Sequence, residues 1–324
     1  MVVTQRKIAV VGQGVMGLTC ALKLLEDGHD VTVYSHEVFS ETTSMSAGAY
    51  WWPHKAYPAA RVAKWSRETF EAYAALSEDR DSGVYFQTHR RFCLEPDDSA
   101  YARHLVDEWK EIDGATYGVP CREAYEVLLP VIDVPTFMPY LKARVDALGG
   151  VFRVEGLDGP DGLFPEFALV INCSGVGALH FVNDPGVFPI RGQVVSVSPI
   201  EGLDYSMRVY QKREDFTLIL PRKKDIILGG TTQEGRWDRE ASQEDTDTIV
   251  ARCTRFFPEL GDCEILRTAV GLRPGRKQVR LELELIGKNQ PVIHNYGHGG
   301  GGYTVALGCA NEVLALANEY FSAK

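Results

Sequence analysis

Hydrophobic and polar residues alternate along the chain in patterns that predict both strands and helices. Near the N-terminus, a β-branched run at 8–11 precedes a helical pattern in which Leu18, Leu22 and Leu25 share one face. Residues 31–34 then have the composition of a second strand. The order strand, helix, strand predicts a βαβ unit and therefore an α/β fold.

The remaining chain continues with both kinds of pattern. Amphipathic periodicity predicts further helices over 61–76, 98–112, 137–148, 246–257 and 305–321. Apolar or alternating runs predict strands over 83–94, 151–154, 167–173, 192–197, 207–210, 216–220 and 225–230. From residue 187 onward the strands alternate with polar turns, which favours antiparallel pairing.

The first predicted helix begins at a glycine-rich loop. The loop Gly12-Gln13-Gly14-Val15-Met16-Gly17 reads G-x-G-x-x-G between a strand and a helix, which is the pattern of a dinucleotide-binding turn. The helix N-terminus then offers N–H groups to a pyrophosphate. The acidic residue expected after the second strand is absent, because the chain continues Ser35-His36-Glu37. Glu37, or backbone and water, could meet the ribose instead.

Composition narrows the class of protein. Lys and Arg number 34 against 44 Asp and Glu, giving a net charge of −10 that argues against nucleic-acid binding. The sequence has no apolar run long enough for a membrane span. The seven cysteines form no C-x-x-C pair, which favours reduced thiols in a cytoplasmic protein. His294 and His298 lie among glycines without further ligands, so we expect no metal.

Two glycine-containing motifs lie near the C-terminus, Gly271-Leu272-Arg273-Pro274 and His294-Asn295-Tyr296-Gly297-His298-Gly299. Together with the glycine loop, they resemble the D-amino-acid oxidase family of FAD enzymes, which includes D-aspartate oxidase. Matching segments run across the chain, among them Thr42-Thr43-Ser44, Trp51-Trp52-Pro53, Asn172-Cys173-Ser174-Gly175 and Leu228-Gly229-Gly230-Thr231.

The resemblance implies a Rossmann-like FAD-binding domain assembled from discontinuous segments and a mixed-sheet substrate domain with helices. We place the FAD domain at 1–58, 131–195 and 268–324, and the substrate domain at 59–130 and 196–267. The implied reaction is oxidation of a D-amino acid at its α-carbon by hydride transfer to FAD. It gives a 2-oxo acid, ammonia and, with oxygen, hydrogen peroxide. The expected partners are a D-amino acid and oxygen, with a homodimer left open.

The resemblance also implies a substrate site without a catalytic side chain. Arg273 matches the arginine that binds the substrate carboxylate. The family has a tyrosine where this chain has Leu218, and Tyr210 is the nearest candidate to replace its hydroxyl. A histidine after the proline is a feature of the acidic-substrate branch, and His54 matches it, so Arg222 or Lys212 could meet a side-chain carboxylate. Further residues expected at the substrate are Tyr50, Trp52, Leu220 and Gly300.

The remaining matches are expected at the cofactor. Gly299, Gly300, Gly301, Gly302, Tyr303 and Thr304 open the last helix, where backbone donors would stabilise charge on a reduced flavin. The other residues expected to contact FAD are Gly12, Gly14, Val15, Met16, Gly17, Ser35, His36, Thr42, Thr43, Ser44, Ala47, Gly48, Ala49, Trp51, Val154, Cys173, Ser174, Gly175 and Arg273.

Three other functions stay open from the sequence. An NAD(P)-dependent dehydrogenase would share the glycine loop, but would leave Arg273 and the C-terminal glycines without a purpose. The same scaffold could act on glycine, sarcosine or an L-amino acid. A flavin-binding protein without catalysis is the third alternative, since the family tyrosine is missing.

Overall fold

The computed structural model describes residues 5–53, 56–96, 100–106, 108–164, 166–211, 216–287 and 289–323. The α-helices of this part of the chain are α1 (Val15–Glu26), α2 (Ala59–Leu76), α3 (Val134–Ala147), α4 (Ala178–Phe181), α5 (Gln243–Thr254) and α6 (Gly302–Ser322). The strands are β1 (Lys7–Val11), β2 (Asp30–Ser35), β3 (Ala49–Tyr50), β4 (Val84–Cys93), β5 (Trp109–Glu111), β6 (Glu123–Ile132), β7 (Val151–Val154), β8 (Leu169–Asn172), β9 (Phe188–Val197), β10 (Ser206–Tyr210), β11 (Phe216–Pro221), β12 (Ile226–Gly229), β13 (Gln233–Glu234), β14 (Ile265–Gly275), β15 (Arg280–Ile286) and β16 (Gln290–Tyr296). None of the described helices combines the length and the apolar character needed to cross a membrane.

The first sheet contains the predicted βαβ unit. Its strands lie in the order β15-β16-β8-β1-β2-β7, and β1 pairs in parallel with both β2 and β8. Ile8 and Val10 pack into the core that includes α1 and α6, whereas Ala9 and Val11 pack into a second cluster on the opposite face. A central parallel strand covered on both faces confirms the predicted α/β class.

The second sheet is mixed, as predicted. Eight of its strands follow the order β13-β9-β12-β11-β10-β4-β6-β3, with β14 pairing to β9 and β5 to β6. β10 is parallel to β4 and antiparallel to β11, so it joins the two inserted stretches of chain. Most of β9 and most of β14 fall in stretches that the sequence analysis assigns to the first domain, and the domain boundaries stay a prediction.

A close helix crossing brings the end of the chain against α2. A Cβ atom at Gly308 in α6 would lie 2.3 Å from the carbonyl oxygen of Trp65 in α2, so the two backbones touch. Glu312 accepts hydrogen bonds from Arg61 Nη2 at 2.5 Å and from Trp65 Nε1 at 2.6 Å. These contacts fix the first half of α6 against α2.

The predicted helix over 98–112 is wrong. Residues Ala100–Leu105 form a short 3₁₀ helix, and Trp109–Glu111 form β5, paired with β6. The free edge of β6 offers backbone partners, and the Trp109 ring packs edge-on against Tyr125 at 6.0 Å. Pairing along this edge therefore overrides a weak helical pattern.

Candidate active site

A cavity of about 660 Å³ is lined by residues from both sheets. It collects most of the residues that the sequence places at the cofactor and substrate. Those in its wall are Gly12, Gly14, Val15, Met16, Ser35, His36, Thr42, Thr43, Ser44, Ala47, Gly48, Ala49, Tyr50, Trp52, Cys173, Ser174, Gly175, Leu218, Arg273, Gly299, Gly300, Gly302, Tyr303 and Thr304. Segments far apart in sequence therefore meet around one space.

The glycine loop adopts the geometry that its sequence predicts. Gly12 has φ of +112°, and a Cβ atom there would lie 2.4 Å from the carbonyl oxygen of Cys173. Gly17 packs against Gly12, since its Cβ would lie 1.7 Å from the Gly12 oxygen. Gly14 is the N-cap of α1 and provides no side-chain cap, so the helix N-terminus opens into the cavity.

The start of α6 forms a second glycine-rich part of the wall. Gly301 is its N-cap, without a side-chain cap. Tyr303 Oη donates to the Ser44 carbonyl at 2.8 Å, and Thr304 Oγ1 donates to the Trp52 carbonyl at 2.9 Å. Burial lowers the pKa of the neighbouring His298 to about 3, which keeps that imidazole neutral. The helix start is thus held against the segment that contains the predicted flavin contacts.

The turn after β8 is supported by a chain of buried polar groups. Asn172 Oδ1 accepts hydrogen bonds from the Ser174 N–H at 3.2 Å and from Ser174 Oγ at 2.6 Å. Asn172 Nδ2 lies 3.3 Å from His294 Nδ1, and His294 Nε2 lies 2.8 Å from Glu284 Oε2. Burial, followed by the charge of Arg280, lowers the pKa of His294. The conformation of Ser174 thus depends on strands from the end of the chain.

Glu37 lies in the cavity wall, but its carboxylate is already engaged. Arg239 donates to it from Nη1 at 2.6 Å and from Nη2 at 3.3 Å. The Glu37 carbonyl accepts hydrogen bonds from Gln13 Nε2 at 2.5 Å and from Ser35 Oγ at 2.8 Å. A ribose would therefore meet this segment beside an existing ion pair.

Arg273 lies in the wall with its guanidinium laid against the backbone of β9. A Cβ atom at Gly192 would lie 2.2 Å from Nη1 and 2.3 Å from Cζ and Nη2 of Arg273. Arg273 Nη1 donates to the Thr231 carbonyl at 3.1 Å. Burial, followed by the charge of Arg208, lowers the Arg273 pKa to about 10. The group is still cationic at neutral pH, and among the described residues it has no carboxylate partner.

Arg208 is a second arginine in the same wall, and it is 6% exposed. Its Nη1 donates to Tyr50 Oη at 3.1 Å, and its guanidinium carbon lies 4.3 Å from the centre of the Phe216 ring. Its Nε is buried without an acceptor in the described structure, which contains no carboxylate partner for this side chain. Two unneutralised guanidinium groups thus line one cavity, an arrangement suited to an anionic ligand.

Some predicted residues lie outside the cavity wall. Gly17 acts through packing, while Trp51 is fully buried and donates from Nε1 to the Ser66 carbonyl at 2.9 Å. Tyr210 lies two residues beyond Arg208, roughly 7 Å farther along β10. The other predicted residues outside the wall are Val154, Leu220 and Gly301. His54 and Lys212 lie outside the described residues.

The sequence analysis missed several wall residues. Arg208, Gly192 and Phe216 are among them. Arg222, which the sequence analysis offers as a partner for a side-chain carboxylate, lies outside the wall. The Arg222 guanidinium is bound by Asp225, with Nη2 to Oδ2 at 2.6 Å. The feature that could have identified Arg208 is cross-strand pairing. Arg208 lies opposite Leu218 in the β10–β11 ladder, so the two side chains are neighbours in the sheet.

Comparison with known proteins identifies the family. Residues 7–316 match the model of the FAD-dependent oxidoreductase family. The chain belongs to this family. The flavoenzyme is 37% identical over 321 residues to a D-amino-acid oxidase of Rubrobacter xylanophilus, covering 98% of this chain and 97% of the relative. It is 33% identical to D-aspartate oxidase of Homo sapiens, covering 97% and 95% of the two chains.

Solved structures share the fold of the flavoenzyme. Glycine oxidase from Geobacillus kaustophilus superposes with a TM-score of 0.79 at 18% identity, covering 97% of this chain and 95% of that one. L-proline dehydrogenase from P. horikoshii gives a TM-score of 0.75 at 17% identity, covering 98% and 94%. The fold class predicted from sequence is confirmed.

The residues of the flavoenzyme fit its FAD cofactor. The N-termini of α1 and α6, whose N-cap glycines provide no side-chain cap, border one cavity, where they can meet a pyrophosphate and an electron-rich ring edge; Ser44 Oγ already accepts the Val15 N–H of α1 at 3.0 Å. A side chain at Gly14 would fill the cradle, since its Cβ would lie 2.9 Å from Ser44 Oγ. The glycine loop would hold the pyrophosphate, and the start of α6 would face the flavin.

Proposed function

We propose that this flavoenzyme catalyses the oxidative deamination of D-amino acids and favours those with a carboxylate in the side chain. The observation that carries the proposal is the pair of arginines, Arg273 and Arg208, that face one cavity without carboxylate partners in the described structure. A D-amino acid with an acidic side chain supplies two carboxylates, one for each guanidinium.

Arg273 binds the α-carboxylate in this proposal. Its guanidinium is planar and preset against Gly192, and a bidentate pair with a carboxylate fixes both distance and orientation. FAD, when bound, would supply the hydride-accepting chemistry at the α-carbon, so the residues of this chain bind and orient the substrate and none becomes covalently attached to it. Hydrolysis of the resulting imino acid by water would give the 2-oxo acid and ammonia, and oxygen, as the final acceptor, would be reduced to hydrogen peroxide.

Arg208 binds the side-chain carboxylate. Its surroundings are the apolar ring of Phe216 and the hydroxyl of Tyr50, so a substrate carboxylate would be its only anionic partner among the described groups. Leu218, where the family has a tyrosine, lies opposite Arg208 in the sheet. The leucine provides no hydroxyl for a carboxylate, but the neighbouring strand provides a cationic group.

The names of two relatives support the proposed reaction and the proposed preference for acidic substrates. The bacterial relative at 37% identity is named D-amino-acid oxidase, and the human relative at 33% is named D-aspartate oxidase.

We propose further that the domains follow the division 1–58, 131–195 and 268–324 against 59–130 and 196–267. A cytoplasmic location is also proposed, supported by the seven free cysteines.

A peroxide-coupled screen of purified holoprotein with paired D- and L-amino acids tests the proposal. We expect the highest kcat/KM with D-aspartate or D-glutamate, a lower value with D-alanine, and no turnover of the L-enantiomers. A flavin absorption spectrum must accompany the activity. Preference for glycine, or for any L-amino acid, would overturn the proposed substrate class.

The variant Arg208→Met tests the second arginine. We expect the KM for D-aspartate to rise roughly 10- to 100-fold, because a hydrogen bond to a charged group contributes ~1.5–3 kcal/mol. The KM for D-alanine should stay within threefold of the parent value. Arg90→Met is the matched control, since Arg90 is on the neighbouring strand β4, binds Glu126 at 2.9 Å and lies outside the cavity wall. An equal rise for both substrates in Arg208→Met would contradict the role of Arg208.

A further inference from the structure

A buried polar stack lies behind the cavity wall, next to Arg208. The His89 imidazole, 1% exposed, is stacked on the Tyr50 ring with centroids 4.4 Å apart and planes inclined by 25°. His89 Nδ1 lies 2.5 Å from Ser206 Oγ. Tyr50 is in the cavity wall, while His89 and Ser206 are not. The stack therefore connects the substrate side of the wall to strands β4 and β10.

Tyr50 has a direct effect on the orientation of Arg208. The Arg208 guanidinium is supported by the Tyr50 hydroxyl at 3.1 Å and by the face of the Phe216 ring at 4.3 Å. The aromatic face fixes a distance but allows rotation, whereas the hydroxyl fixes the direction of one N–H group. The plane of the Tyr50 ring thus determines where Arg208 points.

His89 limits the motion of that ring. Tyr50 belongs to a strand of only two residues, Ala49–Tyr50, and its side chain is only half-buried. The imidazole covers one face of the ring, and its own orientation is held by Ser206. Ser206 and Arg208 are two residues apart on β10 and share one face of the sheet. The stack and the cation it supports are therefore built on the same strand.

We propose that His89 is a positioning residue for substrates with an acidic side chain, acting through the Tyr50 ring on Arg208. The inference rests on the proposed function of Arg208. It assigns to a residue outside the cavity a selective effect on binding of the second carboxylate.

The charge state of His89 agrees with this role. Burial, followed by the charges of Arg91 and Arg208, holds the pKa of His89 well below its usual value. A neutral imidazole can lie beside two guanidinium groups without repelling them, and it leaves the positive charge on Arg208 available to a ligand. A cationic residue at this position would add repulsion inside the sheet.

The test compares His89→Ala with His89→Phe in the holoenzyme, using the ratio of the KM for D-aspartate to the KM for D-alanine. We expect His89→Ala to raise this ratio about tenfold, because the Tyr50 ring loses its support. His89→Phe retains a flat ring and should keep the ratio within threefold of the parent. Ser206→Ala, a smaller change, should raise the ratio about threefold and serves where His89→Ala does not fold.

His29→Ala is the matched control. His29 is another buried histidine, 3% exposed, whose ring contacts Phe321 at 5.6 Å, outside the cavity wall. This variant should lose stability without changing the ratio. A ratio within twofold of the parent in both His89→Ala and Ser206→Ala would overturn the inference. If Arg208→Met also leaves the ratio unchanged, the proposed function fails; if Arg208→Met raises it, only the role of His89 fails.

Discussion

Gly192 controls the position of the Arg273 guanidinium. A Cβ atom there would lie 2.2 to 2.3 Å from three guanidinium atoms, whereas non-bonded contacts need ~3.5 Å. The variant Gly192→Ala must therefore displace the guanidinium by roughly 1 Å or more. Because the displaced atoms end a long side chain, the fold can accommodate the methyl group, but the proposed α-carboxylate site loses its geometry.

The expected effect is on KM rather than on stability. Arg273 would lose its 3.1 Å hydrogen bond to Thr231 and one of two well-directed hydrogen bonds to the substrate. A hydrogen bond to a charged group contributes ~1.5–3 kcal/mol. The apparent KM should rise roughly 10- to 100-fold for D-alanine and D-aspartate alike. Oxygen consumption at increasing substrate concentration measures this, and urea unfolding should show a loss of ~1 kcal/mol or less.

Two further variants give the lower and upper limits of the change in KM. Gly162→Ala is the matched glycine control, since a Cβ atom at Gly162 meets nothing within 4 Å, and its KM values should equal those of the parent. Arg273→Ala sets the upper limit, with a KM raised several tens-fold or more by losing a charged pair that contributes roughly 2–4 kcal/mol. A KM within twofold of the parent in Gly192→Ala, with the flavin bound, would mean that Arg273 does not need its present position to bind the substrate.

Three further outcomes are expected. Leu218→Tyr should lower the KM about tenfold by restoring a hydroxyl to the carboxylate site, and lowered activity alone would mean that the pocket is adapted to leucine. Gly17→Ala should cost ~1–3 kcal/mol of stability and release flavin during gel filtration, because its Cβ would lie 1.7 Å from the Gly12 oxygen. The pKa of His298 is about 3 in the folded state, below its value of 6.5 in the unfolded state. As the pH drops from 6.5, the unfolded state therefore binds a proton before the folded state does, and the free energy of unfolding falls. Urea unfolding between pH 6 and 4 should show that the free energy of unfolding depends less on pH in His298→Gln than in the parent, by ~1.4 kcal/mol per pH unit at most.

The geometry of the two glycine-rich segments is predicted well from the sequence because short stretches of chain determine it. Gly12, Gly14 and Gly17 fix the turn and the helix contact within six residues, and the flanking strands are continuous apolar runs. The same holds for the start of α6, where consecutive glycines leave the helix N-terminus open. Geometry that a short segment determines by itself can be predicted from that segment.

Elements defined by distant partners are predicted poorly. Strand β6 (Glu123–Ile132) is absent from the sequence-based prediction, and it contains Pro130, which is unfavourable in a central strand. In the fold, the Pro130 carbonyl accepts the Trp51 N–H at 2.8 Å. β6 in turn provides the edge that makes β5 a strand instead of a helix. Neither segment carries this information without the other.

The substrate side depends on strand register, and this explains why the sequence analysis missed Arg208: its pairing with Leu218 becomes visible only when the strands are aligned. β10 lies between β4 and β11, and the pairing of Arg208 with Leu218 directs the arginine toward the cavity. Because side chains alternate, a shift of one residue would present Met207 or Val209 instead, and the wall would be apolar. An apolar wall would suit a neutral D-amino acid. The proposed preference for an acidic side chain would therefore be a consequence of how three separate strands align, while Arg273, carried by a local motif, would determine only that an amino acid is bound.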